Sequence, residues 1–280
     1  MFHFDSIRNM ADLLVKKKAM LAKCSERKIV LLGGSSVLYG FNTDEIQRQL
    51  GKPTFNAGVN VGLGFQYLLD NVEPYLKPGD HVVLPLEFNQ YTNPAYYVFG
   101  FGIDTFVHRN YWQNQAKYRQ KWKLFLLSLK HARSSATPEK RSRRKAATLT
   151  ETGCYTGLDT QVRDPQTLRG IPFPETFRVT PTMQTITDFM IRCRMNGIQV
   201  KLLPPVFYAQ ELNLPYLENL YAYFGEKIEP NLFQLEAFEV YDSVYHANQM
   251  GQTRVTKQLI TILNHSKNRE ELETHDETEI

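Results

Sequence analysis

Three cysteines, Cys24, Cys154 and Cys193, are too few and too widely spaced for a disulfide framework. None stands in a CxxC or His-rich setting, so no zinc site is indicated. Long hydrophobic runs are missing too. No stretch approaches the roughly 18 apolar residues of a membrane-spanning helix, and the opening MFHFDSIRNMADLLVKKKAMLAK lacks the continuous apolar core of a secretory signal. The chain as given therefore reads as soluble, with neither a signal peptide nor a transmembrane helix. At the first glycine turn both GxGxxG and GxxxxGK[ST] are absent, which argues against nucleotide phosphate binding there. GxSxG is also unmet, because the residue two after Ser35 is Val37. No cofactor and no metal are called for.

Acidic residues are nearly absent from one region. Between Thr105 and Leu149 there are twelve Lys or Arg against Glu139 alone, a net +11, while the whole 280-residue chain carries +4 and the remainder therefore −7. Residues 109–145 are thus a candidate docking surface for an anionic polymer: nucleic acid, an acidic glycan or a membrane surface. RSRRK has few interleaved aromatics, so no specific nucleic-acid motif is present. Elsewhere the composition, 42% hydrophobic and 22% charged, is that of an ordinary globular protein with room for a sizeable core.

What is present is an alternation of apolar strands and amphipathic helices. A helix over about Phe4–Ala22 leads into KIVLL, which breaks at Gly33-Gly34 into Ser35-Ser36. Asn42 to Glu45 caps a helix that runs to Leu50 and stops at Gly51-Lys52-Pro53. A short strand (about Thr54–Asn56), the loop AGVNVGLG, a helix from Phe65 to Leu76 and the strand HVVLPLEF follow. This is β-α-β-α-β, the pattern of a doubly wound, mostly parallel sheet with helices on both faces. An irregular insertion then occupies about 90–174. It has an aromatic-rich part, a basic helix near Gln115–His131 and the run SSATPEKRSRRKAA, expected to be a mobile loop. Alternation resumes with a helix from Thr180-Pro181 to about Met195, a strand at GIQVKLLPP, a helix near Leu212–Phe224, a fifth strand at Leu235–Val240 and a helix over Gln249–Leu263. One domain over 1–264 and a polar, flexible tail over 265–280 are expected.

Serine is a weak nucleophile unless a base within hydrogen-bond reach takes its proton. Ser35, at the carboxyl end of the first strand, is a candidate, with Ser36 competing. Of seven histidines, only His246 has the parts around it: VYDSVYHANQMG puts Asp242 four residues upstream, between a last strand and a last helix. In a doubly wound sheet that loop lies on the same edge as the Ser35 turn. Acyl transfer also needs donors for the oxyanion. The candidates are the backbone N–H of Ser35, the backbone N–H of Gly62 (with Gly64 as an alternative) and the side-chain amide of Asn89. Asn248 and Gly251 read as a cap and a turn for the last helix.

These blocks resemble those of the SGNH (GDSL-like) hydrolase superfamily: a glycine-serine turn after the first strand, a glycine loop after the second, Asn after the third, and an Asp-His pair near the C-terminus. GGSSVLYG, NAGVNVGLG and YHANQMG are similar to the branch associated with bacterial surface polysaccharides. The resemblance spans residues 28–90 and 180–264. It implies a three-layer α/β/α, flavodoxin-like fold with a central sheet of about five strands. It also implies Ser35 as nucleophile, His246 as base, Asp242 as its orienter, Gly62 and Asn89 in the oxyanion hole, and an acyl ester, such as one on a polysaccharide, as substrate. Hydrolase and O-acyltransferase use the same residues, and a periplasmic or membrane-associated setting is equally compatible. The turn is Gly-Gly-Ser-Ser where the family usually has Gly-Asp-Ser. The last block is Asp-x-x-x-His where Asp-x-x-His is commoner, so a bend must absorb one residue.

Overall fold

Alternate residues of one short strand are buried on opposite sides, and this sets the architecture. In the computed structural model, which describes residues 5–108, 121–133, 148–158, 168 and 170–276, the strands among the described residues are β1 (Ile29–Leu31), β2 (Thr54–Asn56), β3 (His81–Pro85), β4 (Thr148–Leu149), β5 (Tyr155–Thr156) and β6 (Gln199–Leu203). The helices are α1 (Asp5–Lys23), α2 (Ser35–Gly40), α3 (Thr43–Leu50), α4 (Phe65–Val72), α5 (Val98–Gly102), α6 (Lys121–Arg133), α7 (Pro181–Met195), α8 (Leu214–Tyr223) and α9 (Gln249–Asp276). Ile29 and Leu31 join a hydrophobic cluster with Ile46 of α3 and Val255, Leu259 and Leu263 of α9. Val30 and Leu32 join another with Leu68 and Leu69 of α4, Ile186 and Phe189 of α7 and Leu217 of α8. Each such side chain contributes about 1.5–3 kcal/mol on burial.

The chain is α/β with a parallel four-stranded sheet in the order β2-β1-β3-β6. Because β1 is flanked by β2 and β3, the connections leaving β1 and β3 run to opposite sides of the sheet. In open α/β sheets the crevice that takes ligands lies outside the carboxyl ends of the strands at such a reversal of order. Asn42 Oδ1 caps α3 by accepting from Glu45 N–H, and Gly51, at φ 64°, ends the helix, as the sequence predicts.

Three expectations are corrected. The segment over Leu235–Val240 is not a fifth strand. It makes only the bridges Phe207–Gln234 and Val240–Ala247, and Ala237–Glu239 turns into a 3-10 helix that breaks any ladder. The last helix does not end near Leu263 but continues to Asp276, through the run NREELE. The insertion contributes an antiparallel hairpin, β4–β5, whose turn docks on β2 as Asn56 N–H donates to Thr152 O at 2.8 Å. The run over 134–147, expected to be mobile, lies outside the described residues, as do most of the basic residues of 109–145. No helix of the described residues is long and apolar enough to cross a membrane.

At the edge of the sheet opposite the crevice, Lys28 Nζ and Asp80 Oδ2 pair at 2.7 Å with no side-chain exposure. Asp80 also accepts from the N–H groups of Lys28 and Lys77, both at 3.0 Å. Removing the cation strands a buried charge, so Lys28→Met is expected to lower unfolding free energy by about 3–5 kcal/mol in urea melts. A loss below about 1 kcal/mol, the range of an exposed pair, would show that the buried pair does not hold this edge.

Candidate active site

Gly34 is the N-cap of α2 and has no side chain with which to cap it. The acceptor comes instead from the neighbouring strand end: Glu87, two residues beyond β3, takes the Ser36 N–H at 2.8 Å and the Ser35 hydroxyl hydrogen at 3.1 Å on the same Oε1. Register brings them together. Leu31 pairs with Val83, so the chains leaving β1 and β3 emerge side by side. A Cβ on Gly34 would lie 2.5 Å from Glu87 Oε1 and 2.5 Å from Val61 Cγ1, so the carboxyl can approach this turn only over glycine. Gln90 Oε1 accepts the Glu87 N–H at 3.0 Å and steadies the turn from below. Ser35 is 8% exposed, whereas Ser36 is fully buried and its Oγ has no partner.

The Asp242-to-His246 loop closes through two backbone bonds, Tyr241 N–H to His246 O at 2.8 Å and His246 N–H to Ser243 O at 2.9 Å. This bend absorbs the extra residue of the Asp-x-x-x-His spacing and seats Asp242 Oδ1 on His246 Nδ1 in a short hydrogen bond. With Nδ1–H donated to Asp242, Nε2 keeps its lone pair. Two anchors hold the loop. Tyr208, in the segment leaving β6, donates its N–H to Val244 O at 2.7 Å. Asn248 caps α9, its Oδ1 accepting from Met250 and Gly251, as the sequence predicts.

Tyr39 joins the two halves. It lies one turn after Ser35 in α2, and its ring stacks on His246 with centroids 4.2 Å apart. The imidazole also lies within electrostatic reach of Glu87. Burial raises the Glu87 pKa above the ordinary carboxylate value, against the opposing pull of the Ser36 N–H, His246 and Ser35.

Serine turn, histidine and aspartate thus meet at one crevice, while the other predicted residues are placed differently. The Gly62 N–H is already donated to Asn60 Oδ1 at 2.8 Å, and its Cα packs against Phe99. Asn60 caps this short turn, so the donor expected for a substrate is consumed locally. Gly64 sits at φ 86° because Ala95 backbone leaves no room for a side chain. Asn89 is in a 3-10 turn and makes no hydrogen bond to Ser35 or His246; its buried Oδ1 has no partner. Glu87 faces the serine in its stead. Sequence reasoning missed Glu87 as a site residue, although a carboxylate ending an apolar strand, in HVVLPLEFN, was a usable signal. Tyr39 was likewise visible in GGSSVLYG but had no partner to mark it.

A cavity of about 410 Å³ opens near Thr92, Arg178 and Tyr216. Its lining includes none of Ser35, Glu87, Asp242 or His246, so it is distinct from this crevice. Among the described residues no group of His, Cys, Asp and Glu is arranged to hold a metal ion.

No family model matches the chain, and no curated protein matches it. A solved structure from Streptococcus pneumonia, described provisionally as a platelet activating factor, is similar at 14% identity with a TM-score of 0.33, over 91% of this chain and 93% of that one. A TM-score this low carries no argument about fold or activity.

Proposed function

We propose that this chain is a serine-dependent acyl-transfer enzyme of SGNH type, an esterase, deacetylase or O-acyltransferase acting on an ester of a carbohydrate or another small alcohol. In this reading the sheet and its flanking helices form the three-layer α/β/α arrangement of that superfamily. One observation carries the proposal: the His246–Asp242 pair is stacked, through the His246 ring, on Tyr39, one turn from Ser35, at the carboxyl edge of a parallel sheet. The ordering of the roles follows from chemistry. Ser35 Oγ attacks the ester carbonyl and gives its proton to His246 Nε2. Asp242 holds the imidazole in the required tautomer and stabilises the imidazolium. The departing alkoxide takes the proton from Nε2, which leaves an acyl-serine. Water or a sugar hydroxyl then attacks the acyl carbon, again losing its proton to Nε2, and Ser35 is released.

In the present geometry the Ser35 hydroxyl points to Glu87, so attack requires rotation about χ1 towards His246, a small motion for a serine. The expected result is a single covalent adduct when the full chain meets a fluorophosphonate, mapped by peptide mass spectrometry to the peptide spanning Lys28–Gly40. An adduct elsewhere, or none, would overturn the reading.

A further inference from the structure

Glu87 touches the proposed nucleophile, yet the acyl-transfer sequence above gives it no task. It is 1% exposed, and no Lys or Arg pairs with it among the described residues. The cation nearest in kind, an imidazolium at His246, is committed through Nδ1 to Asp242. A carboxylate held out of water without a cation costs several kcal/mol, and taking up a proton removes that cost. A neutral carboxyl has two different oxygens, an acceptor and an O–H donor. The acceptor is accounted for, since Oε1 takes both the Ser36 N–H and the Ser35 hydroxyl. The other oxygen, Oε2, is then the one that carries the proton.

Of the expected oxyanion donors, the Gly62 N–H is used by Asn60 and the Ser35 N–H faces Glu87. The turn after β3 nonetheless delivers one polar side chain to the serine, and that side chain is Glu87. We propose that Glu87 is a catalytic residue whose carboxyl, acting as the acid, donates a hydrogen bond to the oxyanion of the tetrahedral intermediate, in the place the family resemblance assigns to Asn89. This rests on the serine acyl-transfer reading. The proton stays on Glu87 throughout. Negative charge develops on the former carbonyl oxygen and is shared with the Glu87 O–H, while the Ser35 proton goes to His246. A carboxylic acid in a dry site is a stronger donor than an amide, which offsets the loss of the expected glycine donor.

The groups facing Glu87 are Ser35 and Ser36 from α2, and His246 and Tyr245 from the loop before α9, with Asp242 behind the imidazole. The proposal needs His246 neutral and Glu87 protonated. Reactivity therefore falls at alkaline pH as Glu87, whose pKa is raised by burial, loses its proton. The test measures the second-order rate of fluorophosphonate labelling against pH for the full chain and for Glu87→Gln, Glu87→Ala, Tyr245→Phe and Ser35→Ala. Gln keeps an N–H donor but cannot ionise and is the weaker donor, so Glu87→Gln is expected to label about 10-fold more slowly than the parent and to lose the alkaline fall. Glu87→Ala is expected to label about 10²–10³-fold more slowly. Tyr245→Phe should keep the alkaline fall.

Three results would overturn the proposal: a Gln variant as inert as Ser35→Ala, which would make Glu87 the base; an Ala variant that labels faster than the parent, which would make the carboxyl a block; or an alkaline fall that persists in Glu87→Gln. If Glu87→Ala does not fold, the pH profile of Glu87→Gln decides, because a structural cap would leave that profile unchanged. Labelling that survives both Ser35→Ala and Ser36→Ala overturns the acyl-transfer reading itself, whatever Glu87 does.

Discussion

Ser35→Ala is expected to abolish fluorophosphonate labelling and to lower turnover of a short acyl ester by about 10⁶-fold, the usual loss when a triad nucleophile is removed. Ser36→Ala should leave labelling in place. The two serines differ in their surroundings rather than their chemistry. Ser35 keeps 8% of its surface and its Oγ donates to Glu87, whereas Ser36 is wholly buried with an Oγ that has no partner. What Ser36 supplies to the site is its backbone N–H, which alanine retains. Removing an unpaired buried hydroxyl is neutral or stabilising by about 1 kcal/mol, so Ser36→Ala should also melt no earlier than the parent. Loss of labelling in a well-folded Ser36→Ala variant, with labelling kept in Ser35→Ala, would reverse the assignment.

The second large effect belongs to the Asp-His pair, and its two members should differ in degree. His246→Ala removes the base and is expected to cost about 10⁶-fold in kcat for a short acyl ester. Asp242→Asn keeps the shape of the loop but offers the imidazole the wrong tautomer, for a loss of about 10⁴-fold in kcat with KM little changed. Both variants should fold. The loop is closed by Tyr241–His246 and His246–Ser243 backbone bonds and anchored through Val244 and Asn248, none of which uses the exchanged atoms. Thermal unfolding near the parent's, together with an Asp242→Asn kcat within a few-fold of the parent's, would reduce the pair to a structural contact.

Much of this was legible before any coordinates. The helix over Thr43–Leu50 carries its own start in Asn42 and its own stop in Gly51, both local signals, and its boundaries fall where the sequence puts them. The strands β1 and β3 are apolar runs bounded by turn residues, β2 is the short segment between Pro53 and the glycine loop, and all three fall in place as well. Leu235–Val240 failed for an instructive reason. Leu235 and Val240 at its ends are buried in one hydrophobic cluster, but Phe238 between them is exposed and the backbone is spent on a 3-10 turn flanked by isolated bridges. Hydrophobicity reports burial, and a ladder needs a free neighbouring edge in register.

The sequence alone determined the alternation of strands and helices, the serine turn and the Asp-His loop, because each is encoded within about a dozen neighbouring residues by periodicity, capping and glycine. The tertiary structure alone decided which strand ends meet. It set β1 beside β3, and so placed Glu87 rather than Asn89 on the serine 52 positions away. It also spent the Gly62 N–H on Asn60 and laid Tyr39 against His246. Side-chain direction at a strand end depends on pairing register and on the turn that follows, and neither is written in the spacing of the residues that come together.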